Sequence, residues 1–164
     1  MKVIFYGGKQ AGVVSLFLLN NYFKNIEVIP EDALVKKAAE ILNLKQTILE
    51  EAGSFDLLVC CHGRKIIPKN MLDKGICINL HPCLYKYKGA NPIKSLLSDK
   101  ETKASVGCHH MSEKVDEGEV IYEKFVDVSE CKNETEVYNK LYIYYAEVLS
   151  ISLAKLGLIK NKLK

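Results

Sequence analysis

The run Ile78-Asn79-Leu80-His81-Pro82 places an amide and an imidazole two residues apart at the end of an apolar stretch. Side chains alternate in direction along a strand, so Asn79 and His81 share one face. An imidazole exchanges a proton near neutral pH, and an amide can donate a hydrogen bond beside it. A lone Asn or His at a strand end is most often structural. This pair differs because it feeds a loop bounded by Pro82 and Pro92, which carries Tyr85, Lys88, Gly89 and Asn91. The carboxyl ends of strands are where open α/β sheets bind ligands.

Three other features of the sequence bear on chemistry. Gly7-Gly8-Lys9-Gln10-Ala11-Gly12 follows the first apolar run, but its spacing fits neither a dinucleotide fingerprint nor a phosphate-binding Walker loop. It reads as a tight strand-to-helix turn, with phosphate contact from a helix N-terminus as the alternative. Gly8, Lys9 and Gln10 are candidates to touch a substrate from it. His109, His110, Glu113 and Asp116 contain metal-ligating types, yet alternation sends the two histidines to opposite faces and no HExxH spacing is present. No metal is expected. Six cysteines, Cys60, Cys61, Cys77, Cys83, Cys108 and Cys131, form no CxxC pair and read as reduced thiols in or near the core.

The elements that must position these residues alternate. Short apolar runs at residues 2–6, 26–29, 56–61 and 76–80 read as buried strands. Residues 13–23, 33–42, 68–72 and 92–97 read as helical, the second opened by Glu31-Asp32 and the last by Pro92. Residues 104–111 and 120–128 look extended, with turn chemistry at Asp116-Glu117-Gly118 between them. The longest helical pattern is 134–156, and its tyrosines read as core packing. The order implies one α/β Rossmann-like domain over residues 1–164. It has a mostly parallel twisted sheet, helices on both faces and a hairpin-like antiparallel C-terminal portion.

Composition narrows the classes. The chain has 164 residues, 48% hydrophobic and 26% charged, which suits one compact domain with a real core. A net charge of +3 is spread over scattered lysines, with a small cluster at Lys160, Lys162 and Lys164. That lacks the basic stripe of a nucleic-acid binder, so no nucleic-acid partner is expected. There is no signal-peptide pattern and no apolar run near the ~20 residues of a membrane helix, which points to a cytoplasmic protein without a membrane partner. A homodimer is left open.

Taken together, the motifs resemble those of the folate-dependent formyltransferases. That family carries N-x-H, then a loop ending in [KR]-G-x-x-P, then D-x-G. Here stand Asn79-Leu80-His81, Lys88-Gly89-Ala90-Asn91-Pro92 and Asp116-Glu117-Gly118, in the same order. Cys61-His62-Gly63-Arg64-Lys65-Ile66-Ile67-Pro68 resembles the family's pterin-side loop, most of all that of the sugar N-formyltransferases. The specific match runs from Asp56 to Val128; the stretch from Glu27 to Phe55 is short beside the family pattern.

The resemblance implies an enzyme that moves the formyl group of 10-formyltetrahydrofolate to a primary amine, with Asn79, His81 and Asp116 as its catalytic trio. The chemistry of these types agrees. An imidazole of pKa ~6.5 suits taking the amine proton. Asn79 can donate to the developing oxyanion. Asp116 would orient or charge-stabilise His81. The folate would lie against Arg64, Lys65, Ile66, Ile67, His109, Val115 and Gly118. Gly8, Lys9, Gln10, Tyr85, Lys88, Gly89 and Asn91 would meet the amine. The resemblance favours a nucleotide-linked amino sugar as acceptor, with glycinamide ribonucleotide or methionyl-tRNA as alternatives. A non-catalytic folate- or nucleotide-binding member of the fold is the reading from a different class.

Overall fold

The computed structural model describes residues 1–160. Of the C-terminal lysine cluster, Lys162 and Lys164 lie outside the described residues. The elements run β1 (Lys2–Gly7), α1 (Lys9–Tyr22), β2 (Asn25–Pro30), α2 (Ala33–Ile41), β3 (Lys45–Gln46), β4 (Leu57–Cys61), α3 (Lys69–Leu72), β5 (Ile76–Pro82), α4 (Pro92–Ser98), β6 (Lys103–His110), β7 (Val120–Asp127) and α5 (Glu134–Lys155), with a 3₁₀ turn at Leu49–Glu51. Seven strands form one sheet in the order β3-β2-β1-β4-β5-β6-β7. β1 to β5 pair in parallel, while β5–β6 and β6–β7 pair antiparallel.

Alternation along β1 and β4 divides the core. Val3, Phe5, Leu57, Val59 and Cys61 face a large cluster built by α1, α2, α4 and α5. Ile4, Tyr6, Leu58 and Cys60 face a smaller cluster with Leu49, Ala52, Phe55, Ile67 and Met71. Helical material therefore covers both faces, but unequally: the second face has only α3 and the 3₁₀ turn. The strands are apolar on both sides because both sides are covered.

Two boundaries differ from the sequence reading in ways that shape the site. α1 begins at Lys9, four residues before the expected start, so the glycine turn is its first turn. β5 runs on to Pro82, so Asn79 and His81 are inside the strand and take their direction from the ladder. The short 27–55 stretch holds most of β2, all of α2 and the two-residue edge strand β3, which pairs through Glu27↔Lys45 and Val28↔Gln46. β3 lacks the apolar run that makes a strand visible in sequence. No helix among the described residues is long and apolar enough to cross a membrane.

Candidate active site

Asn79 and His81 project from β5 at the carboxyl edge of the parallel strands. The antiparallel register sets Asn79 opposite His109 on β6. A register shift at Cys108/His109 interrupts the β6–β7 ladder there; such an irregularity re-aims a side chain. The 111–119 loop then brings Asp116 back over β5. Asp116 adopts φ +53°. The loop passes so close that a Cβ on Gly118 would lie 1.7 Å from the His110 carbonyl oxygen. Only glycine fits this passage.

The Asp116 carboxylate is the hub. Its Oδ1 accepts from Asn79 Nδ2 at 3.0 Å and faces His109 Nε2 at 3.3 Å. Its Oδ2 accepts from the Gly89 backbone N–H at 2.8 Å and faces His81 Nδ1 at 3.3 Å. His81, Asp116 and His109 are 8%, 8% and 2% exposed. His81 Nε2 lies 2.9 Å from the Tyr87 carbonyl oxygen, which can only accept. That assigns the proton of the neutral ring to Nε2 and leaves the Nδ1 lone pair on the Asp116 side. The same logic applies to His109, whose Nδ1 lies 2.8 Å from the His110 carbonyl oxygen. In the neutral ring its Nε2 accepts from Asn79 Nδ2, 3.3 Å away, and in the protonated ring it donates to Asp116 Oδ1 at the same distance.

Two opposed effects set the protonation states. Burial pushes the His81 pKa down; the Asp116 charge and the Tyr87 carbonyl oppose this, and the net is below the usual imidazole value. Burial pushes the Asp116 carboxyl up, but the His109 hydrogen bond, the His81 charge and the Gly89 N–H outweigh it and hold the group below its ordinary range. At neutral pH the pair is a carboxylate beside a neutral imidazole.

A cavity of about 600 Å³ opens over this cluster. One wall is the 63–67 segment with Met111 and the 112–116 loop; the other is Lys9, His62, Asn91, Glu134 and Tyr138. Ile66 and Val115 on the first wall are 72% and 53% exposed. Large apolar side chains held open beside polar backbone suit a flat heteroaromatic ring. The 63–67 segment is tied down from below. The Tyr6 hydroxyl accepts from the Arg64 and Lys65 N–H groups at 2.9 and 2.8 Å and donates to Glu31 Oε2 at 2.5 Å. A Cβ on Gly63 would lie 2.3 Å from the Tyr6 ring.

The expected residues separate clearly. Asn79, His81, Asp116, Arg64, Lys65, Ile66, Ile67, His109, Val115, Lys9, Gly89 and Asn91 all line the cavity. Gly8, Gln10, Tyr85, Lys88 and Gly118 do not. The Tyr85 hydroxyl donates to the Lys103 carbonyl at 2.6 Å, and its ring packs on Phe125, away from the trio. Gln10 accepts from the Tyr142 hydroxyl at 3.2 Å. Lys88 is exposed outside the cavity. Gly118 shapes the loop from behind. The phosphate alternative for the glycine turn also meets an obstacle: Asp32 Oδ2 accepts from the Lys9 N–H at 2.5 Å. A carboxylate already holds that end of α1, and a phosphate there would meet its charge. Nor do the four weighed metal-ligating types converge, since Glu113 pairs with Lys69 on α3.

His62, Tyr138 and Glu134 are among the lining residues that the sequence does not single out. In the sequence His62 follows the apolar run 56–61 much as His81 follows the run 76–80, and that parallel is the available signal. In the sequence Tyr138 reads as packing, and Glu134 only as the first residue of a long helical pattern. Four of the non-glycine residues with positive φ line this cavity: Lys9, His62, Asn91 and Asp116. Strained backbone collects where a site over-determines it.

The comparisons with known proteins fall on the same side. Over 147 residues the chain is 34% identical to the methionyl-tRNA formyltransferase of Campylobacter jejuni subsp. jejuni, covering 89% of this chain and 45% of that protein. It thus spans just under half the length of that curated relative. The N-formyltransferase from Helicobacter canadensis, in complex with folinic acid and dTDP-3-aminofucose, superposes with a TM-score of 0.81 at 20% identity, over 99% of this chain and 68% of that one. Phosphoribosylglycinamide formyltransferase from Campylobacter jejuni subsp. jejuni gives 0.74 at 21% identity, over 95% and 96%. These structures establish the shared fold. The formyl transferase profile matches residues 25–150, well over half of the chain, and the chain belongs to the formyl transferase family.

Proposed function

We propose that the chain transfers the formyl group of 10-formyltetrahydrofolate to a primary amine on a nucleotide-linked amino sugar. The observation that carries this reading is the Asp116 carboxylate shared by Asn79, His109 and Gly89, with the His81 Nδ1 lone pair beside it at the cavity edge. The folate supplies an activated formyl carbon and a nitrogen leaving group. The apolar 63–67 and 111–116 wall would hold its pterin, and the opposite wall would hold the amine.

Each protein group then has one task. The acceptor nitrogen bonds to the formyl carbon while the carbon–nitrogen bond to the folate breaks. The amine proton passes to His81 Nδ1, and the imidazolium so formed is stabilised by Asp116. That proton ends on the departing nitrogen, through Asp116 or a water. Asn79 donates toward the negative charge developing on the formyl oxygen, a contribution of about 3 kcal/mol for one such donor. In the resting geometry both Asn79 N–H groups are directed to Asp116 and His109. One must turn to the substrate during reaction, which is usual of sites that tighten only in the complex.

The resemblance of the loop to sugar N-formyltransferases and the likeness to the Helicobacter protein support an amino-sugar acceptor. A tRNA acceptor is the second reading, supported by the 34% identity to a methionyl-tRNA formyltransferase. The test is single-turnover release of tetrahydrofolate with dTDP-3-aminofucose, glycinamide ribonucleotide or methionyl-tRNA, read with the mass of the product. Formylated amino sugar is the expected result. Folate binding without formylation of any amine would leave only a binding module.

A further inference from the structure

We infer that His62 is a specificity-determining hydrogen-bond donor, which presents Nδ1–H to an oxygen of the amine-bearing substrate. The inference rests on the transferase reading above and deepens it.

The argument begins at the end of β4. Alternation would send residue 62 to the Tyr6 face of the sheet. Instead His62 takes φ +60°, and its ring lies against Tyr138 and Tyr145 of α5, centroids 5.7 Å from each. The chain after it crosses to the Tyr6 side as the 63–67 wall. At this one residue, then, the backbone serves one wall of the cavity and the side chain serves the other.

The tautomer follows from Tyr145. That residue is 0% exposed. Among the described residues its hydroxyl has one polar neighbour, His62 Nε2, at 3.0 Å. A buried hydroxyl proton with a single acceptor in reach donates to it. Nε2 is therefore the bare nitrogen, and the neutral ring carries its proton on Nδ1. The ring does stay neutral: burial, with the Lys9 and His81 charges, depresses its pKa to about 3. Nδ1 has no hydrogen-bond partner among the described residues and is not one of their sealed, unsatisfied polar atoms. His62 lines the cavity, and Nδ1 is the ring nitrogen that Tyr145 leaves unengaged. A neutral, immobile N–H donor selects an acceptor atom: a hydroxyl, carbonyl or phosphoryl oxygen.

Side-chain substitutions separate the two ring nitrogens. Asn places its amide nitrogen near the Nδ1 position and tolerates positive φ; Gln reaches the Nε2 position instead. Imidazole nitrogen NMR of the ligand-free protein reads the tautomer directly. Protonated Nδ1 and bare Nε2 from pH 5 to 8 is the expected result, and the reverse tautomer overturns the inference. Kinetics follow with 10-formyltetrahydrofolate and either dTDP-3-aminofucose or glycinamide ribonucleotide. His62→Gln should raise the acceptor KM about tenfold or more, because a site oxygen loses its donor. The folate KM should be unmoved, and His62→Asn should restore most of the loss. Equal KM for the Gln variant and the parent, or a loss that Asn does not restore, refutes the donor role. Turnover of neither acceptor, nor of methionyl-tRNA, by the parent refutes the transferase reading itself, which the NMR arm does not depend on.

Discussion

Asp116 is one carboxylate asked to do two electrostatic jobs. It raises the proton affinity of His81 against a burial that lowers it, and it holds Asn79 in place. These jobs separate in Asp116→Asn, which keeps shape but removes charge. Without the carboxylate, the depressed His81 pKa should fall further. The acid limb of kcat/KM, which reports a base that must be unprotonated, should then move to lower pH, while the plateau drops because the imidazolium loses its counter-charge. A limb that stays or rises would show that His81 is not the group titrating. His81→Ala should cost on the order of 100-fold or more in kcat while folate binding, followed by equilibrium titration, persists.

At the scale of elements, one strand end was legible and its neighbour was not. β5 announced itself because an apolar run ends in two polar side chains at period two. Asp116 was legible through its glycine partner and the turn chemistry around it. His62 was hidden because positive φ at the end of β4 breaks the alternation that predicts where a ring points. Asp32 was readable as a helix opener, and it does cap α2 through the Leu34 and Val35 N–H groups. Its second oxygen reaching α1 depends on how β1 and β2 lie side by side, which no local pattern encodes. Tyr85 was placed on the acceptor side by loop membership alone, and the edge of β6 took it elsewhere.

Tyr6 shows the same limit, since its phenol is invisible as anything but core until the 63–67 segment is laid over it. Burial and the Glu31 bond raise its pKa far above the usual phenol value, so it stays a neutral hydroxyl. Tyr6→Phe removes the acceptor of the Lys65 N–H and the nearer of two acceptors of the Arg64 N–H, whose other is Glu31 Oε2 at 3.3 Å; a backbone N–H left unpaired costs roughly 1 to 3 kcal/mol. The segment should loosen rather than the cluster around Asp116. The folate KM should rise roughly threefold to tenfold at nearly constant kcat. A fall in kcat with unchanged KM would place the damage at the trio instead.

Over the whole molecule the histidine environments set how stability depends on acid. His62 and His81 both have folded pKa values below the ~6.5 of an unfolded chain. Between the folded value and ~6.5 the unfolded chain holds a proton that the folded one refuses, so acid favours unfolding there. The stability they contribute is complete above pH ~6.5 and is lost as pH falls through that window, which for His62 extends to about pH 3. Each group titrating only in the unfolded state adds a slope of about 1.4 kcal/mol per pH unit. Asp116, with its pKa lowered, loses its own share only further down, below the ordinary carboxylate value. Urea midpoints should therefore fall from pH 7 to pH 5, above the range in which the Asp116 carboxyl is protonated. His62→Gln removes the proton whose window spans this whole interval and should flatten that fall by half or more, if the variant stays folded at pH 7. A parent protein equally stable at pH 5 and 7 would mean that these imidazoles accept protons where they stand, and a protonated His62 would then offer donors on both nitrogens.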